Sequence, residues 1–174
     1  ALDLLCIADT DGHFIKVNKA WENILGYPVE QLEGQRFLDF VHPDDLQVTL
    51  DAITHLAQQE QLLSFTNRYR TRSGDYRYIE WRSYPYGKRI YAAARDITER
   101  KQMENALRES EQEFRALAEN SPDNIQRLDR DGKHLYVNAA YAKALGLPVE
   151  QIIGKTNQEL GMPAETIAFF TEMR

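Results

Sequence analysis

The sequence predicts an α+β fold. It reads as a five-stranded antiparallel sheet with helices packed on one face, followed by a long linker helix and the front part of a second copy of the same domain. Three observations carry that reading. Residues 9 to 34 recur at residues 129 to 154 with one constant offset of 120 and no gap. Apolar residues between Ala20 and Ala57 fall at helical spacing, and three segments between Leu62 and Ile97 have the composition or alternation of strands.

The repeat settles the domain organisation first. Thirteen of its 26 aligned positions are identical, among them Asp9, Asp11, Gly12, Asn18, Gly26, Pro28 and Gly34, which return as Asp129, Asp131, Gly132, Asn138, Gly146, Pro148 and Gly154. Pro43 and Pro163 extend the register. A period this long denotes tandem domains, because solenoid repeats run roughly 20 to 50 residues. The expected domains are residues 1–97, a linker helix at 98–120 and a second domain at 121–174. That second copy stops well before the position to which Ile97 would map, so it is expected to be truncated. Lacking the three later strands, it should be poorly ordered or lean on a partner chain. The start at Ala1, with a strand almost at once, suggests a segment cut from a longer protein.

The elements follow in order. Leu4 to Ala8, the turn cluster Asp9-Thr10-Asp11-Gly12 and His13 to Val17 form a hairpin, in which Gly12 supplies positive φ. Asn18 is placed to cap a helix through Ala20, Trp21, Ile24 and Leu25, which Gly26 ends; a brief helix follows Pro28. His42-Pro43-Asp44-Asp45 opens a longer helix with Leu46, Leu50, Ile53 and Leu56 along one stripe. From Leu62 to Arg72, Phe65, Asn67, Tyr69 and Thr71 share one face, while Thr66, Arg68, Arg70 and Arg72 share the other. The arginine face is expected to be solvated, with Glu80 on the next strand offsetting its charge. Tyr76 to Tyr84 and Arg89 to Ile97 complete the sheet. From Thr98 to about Asn120 dense charge and no helix breaker predict one helix. Met103, Leu107, Ser110, Phe114 and Leu117 form its short heptad stripe, suited to a partner helix and hence to a homodimer.

Composition excludes several classes. The net charge of −6 without a basic run argues against nucleic acid. No apolar stretch reaches the roughly 18 residues of a membrane span, and the single cysteine, Cys6, fits a reducing compartment, so a cytoplasmic location is expected even if the parent is membrane-anchored. No phosphoacceptor-like His is present: His55 is followed by Leu56, and His13, His42 and His134 fall in turns, a helix start or a strand.

Taken together, Asp9-x-Asp-Gly, Val17-Asn18-x-Ala, Leu25-Gly26-Tyr27, His42-Pro43-Asp44-Asp45 and Arg95-Asp96-Ile97-Thr98-Glu99-Arg100-Lys101 resemble a bacterial PAS domain with its C-terminal PAC segment. The resemblance implies a sensory module without catalytic residues, upstream of an output domain in a sensor histidine kinase, or of a cyclic-di-GMP enzyme. It implies relay from a ligand held between sheet and helices through Asp96, Ile97 and Thr98 into the next helix. A ligand-free dimerisation spacer is the rival reading. Trp21, Phe37, Phe40, Tyr69, Trp81 and Tyr91 are the candidates to line a small-molecule pocket, although plain core is the commoner role of such aromatics. No cofactor is required. The reactive-cysteine stretch of flavin-binding members has Gln35 instead, in Gly34-Gln35-Arg36-Phe37-Leu38, and His55 is the sole candidate for a haem ligand, with a solvent-facing role more common. No metal site is expected otherwise.

Overall fold

The structure is a computed structural model and describes residues 3–162. Pro163, and the residues beyond it that the repeat register reaches, lie outside the described residues. The chain divides into two compact units, Ala1–Asn105 and Ala106–Arg174.

In the first unit, β1 (Leu4–Asp9), β2 (Phe14–Val17), β3 (Leu62–Arg70), β4 (Tyr76–Tyr86) and β5 (Arg89–Asp96) form one antiparallel sheet in the order β2-β1-β5-β4-β3. Between β2 and β3 lie α1 (Ala20–Leu25), α2 (Val29–Leu32), 3-10 turns at Phe37–Phe40 and Pro43–Asp45, and α3 (Leu46–Ala57). Alternation places Leu4, Cys6 and Ala8 of β1 and Ile79, Trp81 and Ser83 of β4 toward the helices, where they are buried. The turn after β1 forms because the Asp9 carboxylate accepts the amides of Asp11 (3.1 Å) and His13 (2.8 Å), while Gly12 takes φ +96°.

Three local expectations are corrected. Asn18 does not cap α1 with its side chain; Lys19 occupies the cap position and makes no side-chain cap bond. The Asn18 side chain ties down the start of β1 instead, accepting from the Leu5 amide and donating to the Asp3 carbonyl, both at 3.0 Å. The α3 stripe is rotated relative to Leu46-Leu50-Ile53-Leu56. Thr49, Ala52 and Leu56 are buried and Ile53 is half-buried, while Leu46 and Leu50 face outward.

The rotation has a polar cause. Asp45 meets Arg68 through two side-chain bonds, Nη2 to Oδ1 at 2.6 Å and Nε to Oδ2 at 2.9 Å, and also accepts the Arg68 amide at 2.8 Å. One turn on, Thr49 Oγ1 accepts from Asn67 at 3.1 Å. Arg68 is therefore not simply solvated, and Glu80 pairs with Arg100 at 3.3 Å rather than offsetting the arginine face.

The linker helix is α4 (Thr98–Glu119). In the second unit, β6 (Gln126–Leu128) pairs with β7 (His134–Val137), followed by α5 (Ala139–Leu145) and α6 (Val149–Ile152). Its core is Val137, Tyr141, Ala142 and Ile152. Among the described residues β6 and β7 pair only with each other. This unit leans on the end of its own preceding helix. Asn138 Nδ2 donates to the Ala118 carbonyl at 2.8 Å, and Glu119 accepts from the Tyr136 hydroxyl at 2.6 Å and from the Ala139 amide at 3.0 Å. Asn138 also accepts the Tyr141 amide, the helix cap expected of its counterpart Asn18.

The Arg68 guanidinium holds the Asp45 carboxyl below its ordinary value. A depressed folded-state pKa contributes stability that is present above the unfolded value of about 3.9 and lost as pH falls through the folded value. Asp45→Asn should lower stability by about 1.5–3 kcal/mol near neutrality. Urea unfolding should show that penalty shrinking below about pH 4.

Candidate ligand cavity and relay site

Between α3 and the sheet lies a cavity of about 50 Å³. That is room for a small cluster of waters or a small ligand, and well below the roughly 300–1,000 Å³ that house drug-sized molecules. Its wall is built from β1 (Cys6, Ala8), β2 and the 3-10 turn (Phe14, Phe37), α3 (Thr49, Ala52, Ile53, Leu56), β3 (Leu62, Phe65, Asn67, Tyr69), β4 (Trp81, Ser83) and β5 (Ile90, Ala92).

Of the six aromatic candidates, Phe37, Tyr69 and Trp81 line this cavity. Trp21 and Phe40 pack behind the wall, Trp21 edge-on to Phe14 at 5.2 Å and Phe40 against Tyr27 at 5.2 Å. Tyr91 points to the opposite face of the sheet and is 40% exposed. Strand alternation explains the difference, since Ile90 and Ala92 are the inward residues of β5 and Tyr91 stands between them.

The polar groups of the cavity were less visible in sequence than its aromatics. Asn67 is buried, and its carbonyl oxygen accepts the Trp81 indole N–H at 2.7 Å while its amide nitrogen donates to Thr49. The Thr49 hydroxyl donates to the Asp45 carbonyl at 2.7 Å. Ser83 is also buried and lines the cavity. Burial pushes the Cys6 thiol up to about 12 and the Tyr69 phenol well above its usual value, so both are neutral. A wall of neutral donors and acceptors in apolar surroundings suits a small uncharged molecule.

His55 is not part of this wall. It lies at the end of α3 with its Nδ1 2.7 Å from the Glu60 carboxylate, and its side chain is 59% exposed. Among the described residues no cluster of three His, Cys, Asp or Glu side chains is placed to hold a metal ion.

Asp96, Ile97 and Thr98, the residues expected to relay a signal, meet at the start of α4. Asp96 Oδ1 accepts the amide of Thr98 at 2.9 Å and its hydroxyl at 2.5 Å; Thr98 Oγ1 in turn accepts the Tyr78 amide at 2.9 Å. The Ile97 amide donates to the Tyr78 carbonyl at 2.9 Å, and Arg77 lies 3.6 Å from Asp96. Arg100 reaches Glu80 of the same strand at 3.3 Å. Strand β4 therefore grips the first turn of α4 at Tyr78 and Glu80 and presents Trp81 and Ser83 to the cavity.

On the exposed part of α4, Met103, Leu107 and Leu117 are 70%, 63% and 76% exposed. Phe114 packs on Tyr136 at 5.4 Å, so it is shared with its own unit.

Family models described as PAS fold match residues 14–93 and 112–160. The chain belongs to the PAS fold family. A solved sensory box histidine kinase/response regulator from Burkholderia thailandensis is 30% identical, with a TM-score of 0.55, covering 66% of this chain and 91% of that one. The two-component sensor PprA of Pseudomonas aeruginosa is 27% identical over 158 residues, 85% of this chain and 17% of that protein. Sporulation kinase E of Bacillus subtilis is 26% identical over 161 residues, 87% of this chain and 21% of that protein. The chain thus spans about a fifth of the length of these curated relatives. Both PAS units are sensory modules of the kind found in signalling proteins. No helix among the described residues is long and apolar enough to cross a membrane.

Replacing Asn67 with Leu keeps the volume of the side chain but strands the Trp81 indole N–H. The loss should be about 1–3 kcal/mol in chemical denaturation, with a shift in tryptophan emission. Cys6, the single thiol of the chain, should resist a disulfide reagent at pH 8 and react at the rate of unfolding, because the thiolate is the reactive form.

Proposed function

We propose that the chain is the sensory input and signal-relay segment of a multidomain signalling protein, with a sensor histidine kinase as the parent. A small neutral ligand in the first PAS cavity biases the packing of β4, and the bias passes through Asp96, Ile97 and Thr98 into α4. The observation that carries this reading is the double use of β4, which lines the cavity through Trp81 and Ser83 and holds the helix start through Tyr78 and Glu80. The kinase parent is supported by the similarity to PprA and sporulation kinase E.

The outer stripe of α4 completes the proposal. Met103, Leu107 and Leu117 recur near heptad spacing and stand exposed, so α4 pairs with the same helix of a second copy, in the geometry of a short two-stranded coiled coil. Phe114 contributes at its edge while remaining on Tyr136. The paired helix leads the signal toward an output domain.

Two experiments test the parts separately. The chain should sediment as a dimer, and Leu107→Glu with Leu117→Glu should make it a monomer; a wild-type monomer, or a dimer indifferent to both charges, contradicts the helix pairing. Thr98→Val removes the hydroxyl that joins strand to helix. It should cost about 0.5–2 kcal/mol and raise amide exchange in the first turn of α4, leaving the β1–β5 pairing protected.

A further inference from the structure

The second unit holds the end of α4 by contacts that the first unit does not use for its own fold. Asn18 and Asn138 make two bonds in common: each accepts a strand amide, of Leu5 or Ile125, and each donates to a carbonyl two residues earlier, of Asp3 or Asp123. Asn138 adds a bond from its side-chain nitrogen to the Ala118 carbonyl at 2.8 Å. Tyr136 stands where the first unit has Lys16, which pairs with Glu33. The Tyr136 hydroxyl donates to Glu119 Oε1 at 2.6 Å, and Glu119 Oε2 accepts the Ala139 amide at 3.0 Å. The Tyr136 ring lies edge-on to Phe114 at 5.4 Å, with the Arg115 guanidinium 5.8 Å from its centroid. Burial and the Glu119 carboxylate push the Tyr136 phenol up to about 12, so its hydroxyl remains the donor in this clamp.

These contacts occupy one side of the helix. With Phe114 as the origin and about 100° per residue, Ala118, Arg115 and Glu119 fall at about 40°, 100° and 140°, the side that the second unit covers. Ser110 and Leu117 of the heptad stripe fall on the other side, at about −40° and −60°. Ala118 is buried and Leu117 is exposed, as this placement requires. Phe114 stands on the border and belongs to both sides. In a two-stranded coil a stripe residue is a knob that enters a hole between four residues of the facing helix. While its ring rests on Tyr136, Phe114 is 41% exposed and offers a second helix only its outer edge.

We infer that docking of the second unit on the end of α4 is an autoinhibitory contact, which withholds Phe114 from the helix pair until the Tyr136–Glu119 clamp opens. The inference rests on the α4 pairing proposed above. In the docked state the pair closes on Met103, Leu107 and the edge of Phe114. In the undocked state Phe114 turns in as a knob, and the seam continues through Leu117. The second unit thereby sets the strength of pairing through competition for one ring.

The test is the dimer dissociation constant of the full chain, measured by sedimentation velocity for Glu119→Ala, Tyr136→Ser and Phe114→Ser, and for Phe114→Ser combined with each of the other two. Glu119→Ala removes the acceptor without touching β7 or the stripe, and it should tighten the dimer at least about fivefold, the equivalent of one net hydrogen bond. Tyr136→Ser should tighten it further. Phe114→Ser alone should change little, but it should abolish the gain in both released chains. Protection of the Ile125 amide, which Asn138 accepts, reports that β6 and β7 remain paired, and Glu119→Ala serves if Tyr136→Ser disturbs them. Unchanged or weaker dimers on release, or gains that survive Phe114→Ser, overturn the inference. The pairing is scored separately by adding Leu107→Glu and Leu117→Glu to the Tyr136→Ser chain. A dimer that survives those charges removes the helix pairing and the inference with it, whereas a dimer that they abolish but that release does not tighten overturns the inference alone.

Discussion

The hydroxyl of Thr98 is the joint on which the first PAS unit and its helix depend. It accepts the Tyr78 amide and donates to Asp96, whose same oxygen accepts the Thr98 amide, so one small side chain binds a central strand, the end of another and the first turn of a helix. Each such bond is worth about 1 kcal/mol net, rising to at most about 3 kcal/mol where the acceptor is the Asp96 carboxylate. That modest value suits the proposed relay, because a coupling of a few kcal/mol is of the size that binding of a ligand can rebalance, whereas a much stronger joint would leave the helix in one state.

The cavity is held by similar means. Asp45 fixes α3 to β3 through Arg68, Thr49 links α3 to Asn67, and Asn67 takes the indole proton of Trp81 on β4. The chain of contacts runs from helix to strand to strand across the cavity. Apolar packing of Phe14, Trp21, Tyr69 and Ile79 supplies most of the driving force for folding this layer. The polar links decide how α3 is rotated, and therefore which residues face the cavity.

Much of this was legible in the sequence. The gapless repeat gave the tandem organisation, the alternation of Phe65, Asn67, Tyr69 and Thr71 gave the inward face of β3, and Gly12 and Gly26 marked a turn and a helix end. What escaped was long-range. Nothing within seven residues of Asn18 announces that its side chain will fasten residues 3 and 5. Arg68 finds its carboxylate 23 positions away, and the apolar spacing of α3 suggests a face that the Asp45 and Thr49 bonds override. Tyr91 shows the narrower lesson that a strand's parity must be fixed before its aromatics are assigned to a pocket.

In the proposed relay the cavity of the first unit and the start of α4 move as one mechanical element through β4. The most direct measurement is NMR of the labelled chain under xenon pressure, since xenon enters small apolar cavities without needing a designed ligand. Saturating shifts at Ile79, Trp81 and Ala92 should be accompanied by shifts at the amides of Tyr78, Thr98 and Arg100. Cavity shifts that saturate while the first turn of α4 stays unmoved would contradict that relay.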